Sequence, residues 1–144
     1  MDKEIKNAVI ALESGETILY PTDTVWGIGC NALSDNAAKK IFKLKKRDYS
    51  NGLICLASSF EMISKYAEIN QIEKLNKISD PIVSTSANLS GFKVPLNFND
   101  IKSEIKENVG YVVQLDQFRD CNVSSKILKY NYNNNCFDRL RWIL

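Results

Sequence analysis

Residues 17–30 read Thr17-Ile-Leu-Tyr-Pro-Thr-Asp-Thr-Val-Trp-Gly-Ile-Gly-Cys30. Thr17-Ile-Leu-Tyr20 is a short β-favouring run stopped by Pro21, and Val25 to Cys30 resumes an extended course. The stretch therefore predicts two strands around the polar turn Thr22-Asp23-Thr24. Two hydroxyls and a carboxylate crowd that turn, and Gly27 and Gly29 let the backbone approach something closely. Turns at strand ends are where α/β proteins hold ligands. The same residues also suit an Asx or ST turn that satisfies only its own backbone.

Working outward, Ile5, Ala8, Val9 and Leu12 recur at i, i+3, i+4 and i+7 before Gly15, which predicts an amphipathic helix over 3–14. Ser34 suits the N-cap of a second helix running to Leu44, with Ala37, Ile41 and Leu44 on one face and Lys39, Lys40 and Lys43 largely facing water. Leu53-Ile-Cys-Leu-Ala57 has the length of a buried strand, and Ser58-Ser-Phe-Glu61 has capping-box spacing for a helix to about Tyr66. Residues 71–78 read as helix, 81–84 as strand and 88–99 as loop, after which Asn99 can cap a short helix over 100–107. Strands follow at 111–115, 126–130 and 137–142, the last two joined by an Asn-rich turn. This order predicts one α/β domain over residues 1–144, without repeats or an interdomain linker.

The chain's 144 residues suffice to bury a real core, and 44% hydrophobic with 25% charged residues is ordinary for a globular domain. No apolar run approaches the roughly 20 residues that span a bilayer, and the first residues lack the pattern of a secretory signal. The expectation is a cytoplasmic protein with no membrane contact. Its 4 cysteines form no CxxC pair and read as reduced thiols. Histidine is absent, which excludes Ser-His, Cys-His and His-ligated metal mechanisms. A net charge of +2 is too small to argue for nucleic acid by itself.

Besides the turn, two further segments could carry chemistry. Lys45-Lys46-Arg47 places cations at a helix C-terminus, where the macrodipole welcomes them; they could equally clamp phosphates, Lys as a point charge and Arg bidentately. Ser84-Thr-Ser-Ala-Asn-Leu-Ser-Gly91 follows an apolar strand with hydroxyl and amide groups suited to a phosphate chain or ribose, Ser84, Ser86 and Asn88 among them. A polar surface loop would look similar. No GxxxxGK[ST] occurs, so this is not a P-loop.

YPTDTVWGIGC (20–30), a helix ending in LKKR (44–47), GLICLAS (52–58) and PIVSTSANLSG (81–91) together resemble, in content and order, the threonylcarbamoyl-AMP synthase (YrdC-type) family. The resemblance covers roughly residues 8–95, with weaker similarity through Ser125-Lys-Ile127 to Arg139-Leu-Arg141. It implies a twisted mixed sheet with flanking helices around a concave basic cavity. It also implies a reaction joining L-threonine, bicarbonate and ATP, with Mg²⁺, into threonylcarbamoyl-AMP and pyrophosphate.

By motif, Lys45 and Arg47 match the family's K-x-R pair, implying catalytic handling of phosphates and of the threonine carboxylate. Ser86 and Asn88 match its S-x-N nucleotide contacts, Thr22 and Thr24 the turn beside the threonine and carbonate pocket, and Ser125 and Arg141 late nucleotide-binding positions. No residue is implied as a resident metal ligand. The implied partners are the substrates, tRNA or another RNA, and a tRNA-threonylcarbamoylation complex.

Asp48 stands where the family usually has proline, and Trp26 where it often has Tyr or Phe. Only Ala67 to Asp80 connects the halves where the family has a longer centre with cavity-lining strands, so either the remaining elements close the sheet or another chain does. Two other readings stay open on these residues. One is a non-catalytic nucleotide- or RNA-binding module using Lys39, Lys40, Lys43, Lys45, Lys46 and Arg47; the other is an unrelated α/β domain with structural basic and polar loops.

Overall fold

A computed structural model describes residues 2–66 and 81–120, together with the backbone of 128–131 and 136–139. Helix α1 (Asp2–Glu13) leads into β1 (Ile18–Tyr20), β2 (Gly27–Asn31), α2 (Asp35–Lys45), β3 (Ile54–Leu56) and α3 (Phe60–Ser64). After these come β4 (Ile82–Ser86), α4 (Ser103–Lys106), β5 (Tyr111–Val112), β6 (Leu128–Asn131) and β7 (Cys136–Arg139). Five strands make one mixed sheet in the order β3-β4-β2-β1-β5, with β1 and β5 parallel and the other pairs antiparallel. Strands β6 and β7 pair separately as an antiparallel hairpin around the Asn-rich connection 132–135.

Strand alternation divides the five-stranded sheet into two unlike faces. Leu19, Ile28, Cys30 and Val83 point into the core, where they join Ala37 and Ile41 of α2, Ile105 of α4, and Trp26. The indole of Trp26 rests 4.9 Å from the ring of Phe98, and its buried Nε1 has no hydrogen-bond partner among the described residues. The opposite face carries Tyr20, Gly27, Gly29, Ser84 and Ser86, which the pairing register aligns in adjacent rows. Ser34 caps α2 as expected, its Oγ accepting from the N–H of Ala37 at 3.3 Å.

Among the described residues the sheet passes from β4 to β3 with no strand between them. Strand β3 pairs directly with β4, Ile54 opposite Ser84 and Leu56 opposite Ile82, and among the described residues it is the edge of the sheet, its three residues exposed. The expected helix at 71–78 lies outside the described residues.

Several local expectations are corrected. The stripe Ile5, Ala8, Val9, Leu12 does not set how α1 packs, because Ile5 is 53% and Val9 42% exposed. Polar anchoring turns the helix instead: the Glu4 carboxylate accepts from the Tyr111 hydroxyl at 2.7 Å and the Gln114 N–H at 2.8 Å. Ser59, not Ser58, caps α3, its Oγ accepting from Met62 N–H at 3.0 Å. Asn99 does not cap α4, which starts at Ser103 without a side-chain cap; Asn97 and Asp100 close turns before it. Strand β4 keeps Ser84 as expected but runs two residues further, so Ser86 is a strand residue as well.

Candidate functional site

The pairing rows Tyr20–Gly27 and Gly27–Ser86 show that β1 and β4 finish where β2 begins. Strand β3 begins towards the same end, with Ile54 opposite Ser84. Four segments therefore converge there: the 21–26 turn, the loop after Ser86, the C-terminus of α2, and the 47–53 connection into β3. These are the segments that the sequence singles out.

Lys45 is the hub. It lies on the α2 face that also buries Ala37 and Ile41, and only 2% of it is exposed. Its Nζ donates to the carbonyl oxygens of Ser86 and, at 2.7 Å, of Asn88, and lies 3.4 Å from Asn88 Oδ1. In return, Ser90 N–H donates to the Lys45 carbonyl at 2.8 Å. Ser86 Oγ donates to Asn88 Oδ1 at 2.6 Å, and Asn88 Nδ2 donates to Phe92 O at 2.6 Å. Lys45, Ser86 and Asn88 thus form one connected network holding the loop after β4 against the helix end. Burial lowers the Lys45 pKa to about 8, and the charge of Arg47 adds to the fall.

Arg47 is aimed by a left-handed residue. Lys46 closes α2 at φ 50°, with its N–H on Lys43 O and that of Arg47 on Phe42 O, a Schellman pattern usually completed by glycine. The chain then reverses, and the Arg47 guanidinium donates from Nε to Asn51 O (2.9 Å) and from Nη2 to Gly52 O (3.0 Å). Asp48, where proline is usual in the family the sequence resembles, uses its carboxylate inside this turn. It accepts from the Ser50 hydroxyl and N–H, and those bonds lower its pKa.

In the first turn, Thr22 Oγ1 accepts from Thr24 N–H at 3.0 Å, donates to Val25 O at 2.7 Å, and lies 3.2 Å from Thr24 Oγ1. The two threonines meet as an ST turn. The Tyr20 hydroxyl, which the sequence reading passes over, reaches Ser84 Oγ at 2.6 Å. The ring crosses β2 above the glycines: a Cβ at Gly27 would stand 3.1 Å from it, and one at Gly29 would stand 2.7 Å from Val83 O and 3.0 Å from the ring. So the close approach that the glycines permit is Tyr20 reaching Ser84. The readable signal was an aromatic residue opposite two alternate glycines.

The structure therefore brings Lys45, Ser86 and Asn88 into contact and places Thr22, Thr24, Ser84 and Arg47 around the same sheet end. Ser125 and Arg141 lie outside the described residues. Among the described residues no helix is long and apolar enough to cross a membrane.

The family model for Sua5, YciO and YrdC, described as "Telomere recombination", matches residues 10–79 and 72–141. The chain belongs to this family. A threonylcarbamoyl-AMP synthase of Pseudoalteromonas translucida is 27% identical over 158 positions, which cover 76% of this chain and 84% of that protein. Those positions outnumber the 144 residues here, so the relative carries residues that this member lacks within the matched region. Sua5 of P. abyssi complexed with L-threonine superposes with TM-score 0.69 at 22% identity, over 87% of this chain and 51% of that one. Full-length HypF in its phosphate- and nucleotide-bound form gives 0.80 at 19%, over 97% of this chain and 29% of that one. The family fold is thus retained, and this member spans about half the length of Sua5.

Proposed function

We propose that this member is an L-threonylcarbamoyladenylate synthase that joins L-threonine, bicarbonate and ATP and supplies the product for tRNA threonylcarbamoyladenosine modification. The observation that carries the reading is the convergence of the K-x-R, S-x-N and Thr22–Thr24 segments on one sheet end, with Lys45 joining two of them. A threonine-bound and a nucleotide-bound structure among the fold neighbours support the substrate classes.

In this proposal the threonine amine attacks bicarbonate to give a carbamate, losing water. A carbamate oxygen then attacks the ATP α-phosphorus and pyrophosphate departs. The protein's work is orientation and charge neutralisation, which suits a chain without histidine. Arg47 would grip a phosphate or the threonine carboxylate once its donors turn from the carbonyls of Asn51 and Gly52. Lys45 would hold positive charge beneath the end of β4 and the loop after it, which offer Ser84, Ser86 and Asn88 to the nucleotide, with Thr22 and Thr24 beside threonine and Ser125 and Arg141 at the nucleotide. Mg²⁺ would arrive with ATP, coordinated mainly by its phosphates, since the described residues hold no cluster of three or more acidic or cysteine ligands.

The test is pyrophosphate release from ATP with Mg²⁺ and bicarbonate, with and without L-threonine, in the native chain and Arg47→Ala. Threonine-dependent release lost in the variant is the expected result. ATP binding without threonine-dependent release would favour a non-catalytic nucleotide- or RNA-binding module on this fold, a reading supported by Lys45 and Arg47 both donating to protein oxygens.

A further inference from the structure

The outer flank of α2 is hollow. A concavity of about 440 Å³ opens there, lined in part by Lys39, Lys43, Lys46, Arg47 and the rings of Phe42 and Tyr49, and no carboxylate belongs to its lining. Lys39 and Lys43 stand one helical turn apart, a like-charge pair that works against helix stability. Among the described residues neither ammonium has a hydrogen-bond or ion-pair partner. Lys46 has one, Glu104 at 2.7 Å, but both side chains are largely exposed and such pairs are weak. Arg47 donates to carbonyls, which leaves its charge unneutralised.

The aromatic pair adds a second, independent feature. Phe42 is half-buried on the helix and Tyr49 is 66% exposed, with ring centroids 4.7 Å apart and planes inclined by 33°. Phe42 supports one side of the tyrosine and leaves much of its ring to water. An acidic peptide could use the cations but would leave that ring unmatched, and a duplex would hide its base faces. A single strand offers phosphates to the cations and a flat base to the ring. We propose that this concavity binds single-stranded nucleic acid, a base stacking on Tyr49 and the phosphates following Lys39, Lys43 and Lys46.

The concavity shares Arg47 with the synthase reading, whereas Lys39, Lys43 and Tyr49 have no part in the machinery proposed above. The test is fluorescence anisotropy of a labelled short oligouridine on the full chain between about 50 and 200 mM salt. With three or four phosphates neutralised, the log–log salt slope should be roughly −2 to −3, falling by about 1.4 in the Lys39→Gln/Lys43→Gln variant. Tyr49→Ala should weaken binding about tenfold or more, and Tyr49→Phe should restore it. Circular dichroism and pyrophosphate release should match the native chain in all three variants, separating this site from folding and from the synthase activity. No binding, equal affinity for a duplex of the same length, indifference to Tyr49→Ala, or displacement by millimolar ATP would each overturn the proposal, the last because the concavity would then be the nucleotide site itself.

Discussion

Lys45 and Asn88 are joined across the fold: the lysine ammonium donates to the asparagine carbonyl at 2.7 Å and lies 3.4 Å from its side-chain oxygen. Replacing Lys45 by Met removes this donor from the half-buried Asn88 carbonyl, while the Ser86 carbonyl keeps the Asn88 N–H at 2.9 Å, a cost of about 1–3 kcal/mol. Urea denaturation should show that loss, and ATP titration should show weakened binding because the loop at Ser86 is no longer held.

The same lysine predicts opposite pH trends for stability and binding. Its ordinary pKa of 10.5 falls to about 8 in the fold, so above pH 8 the unfolded chain holds a proton that the native one releases. Its contribution to stability therefore rises with pH. Cys30 opposes this above its ordinary value of 9.0, because burial raises its thiol to about 11 and the unfolded chain loses its proton first. Between pH 8 and 9, then, urea midpoints should rise while ATP affinity falls as the ammonium charge is lost. Lys45→Met should flatten both trends.

Gly29→Ala would press a methyl group to 2.7 Å from Val83 O and 3.0 Å from the Tyr20 ring. Neither the strand backbone nor the packed ring can yield cheaply, so thermal denaturation should report a loss of about 2 kcal/mol or more. Gly52→Ala, with nothing within 4 Å of the new carbon, is the control and should stay within about 0.5 kcal/mol.

Tyr20→Phe and Ser84→Ala test the bond that crosses β2. Each alone should cost about 1 kcal/mol, and the double variant should cost no more than about the larger single loss, because the 2.6 Å bond is one interaction. A double-mutant cycle from urea denaturation checks this.

Ile5→Lys and Val9→Lys should each change stability by less than about 0.5 kcal/mol, since both side chains are exposed. Glu4→Gln should cost more, because its carboxylate accepts from Gln114 N–H and the Tyr111 hydroxyl. The same denaturation assay ranks the three.

What the sequence determined by itself was local: the strand–turn–strand at 17–30, the Ser34 cap and length of α2, the ST turn at Thr22, and the order of motifs that names the family. Propensity, capping and turn chemistry act over a few residues, so they can be read along the chain. Even the burial of Lys45 had a trace there, because Ala37, Ile41 and Lys45 recur every fourth residue on one helix face. Its partners did not, since Ser86 and Asn88 come from another strand end, brought over by the β2–β4 pairing. The same holds for Tyr20 over the glycines, for Glu4 turning α1 away from its apolar stripe, and for β3 closing on β4. Each depends on which distant groups the sheet register sets opposite one another, and only the tertiary structure decided that.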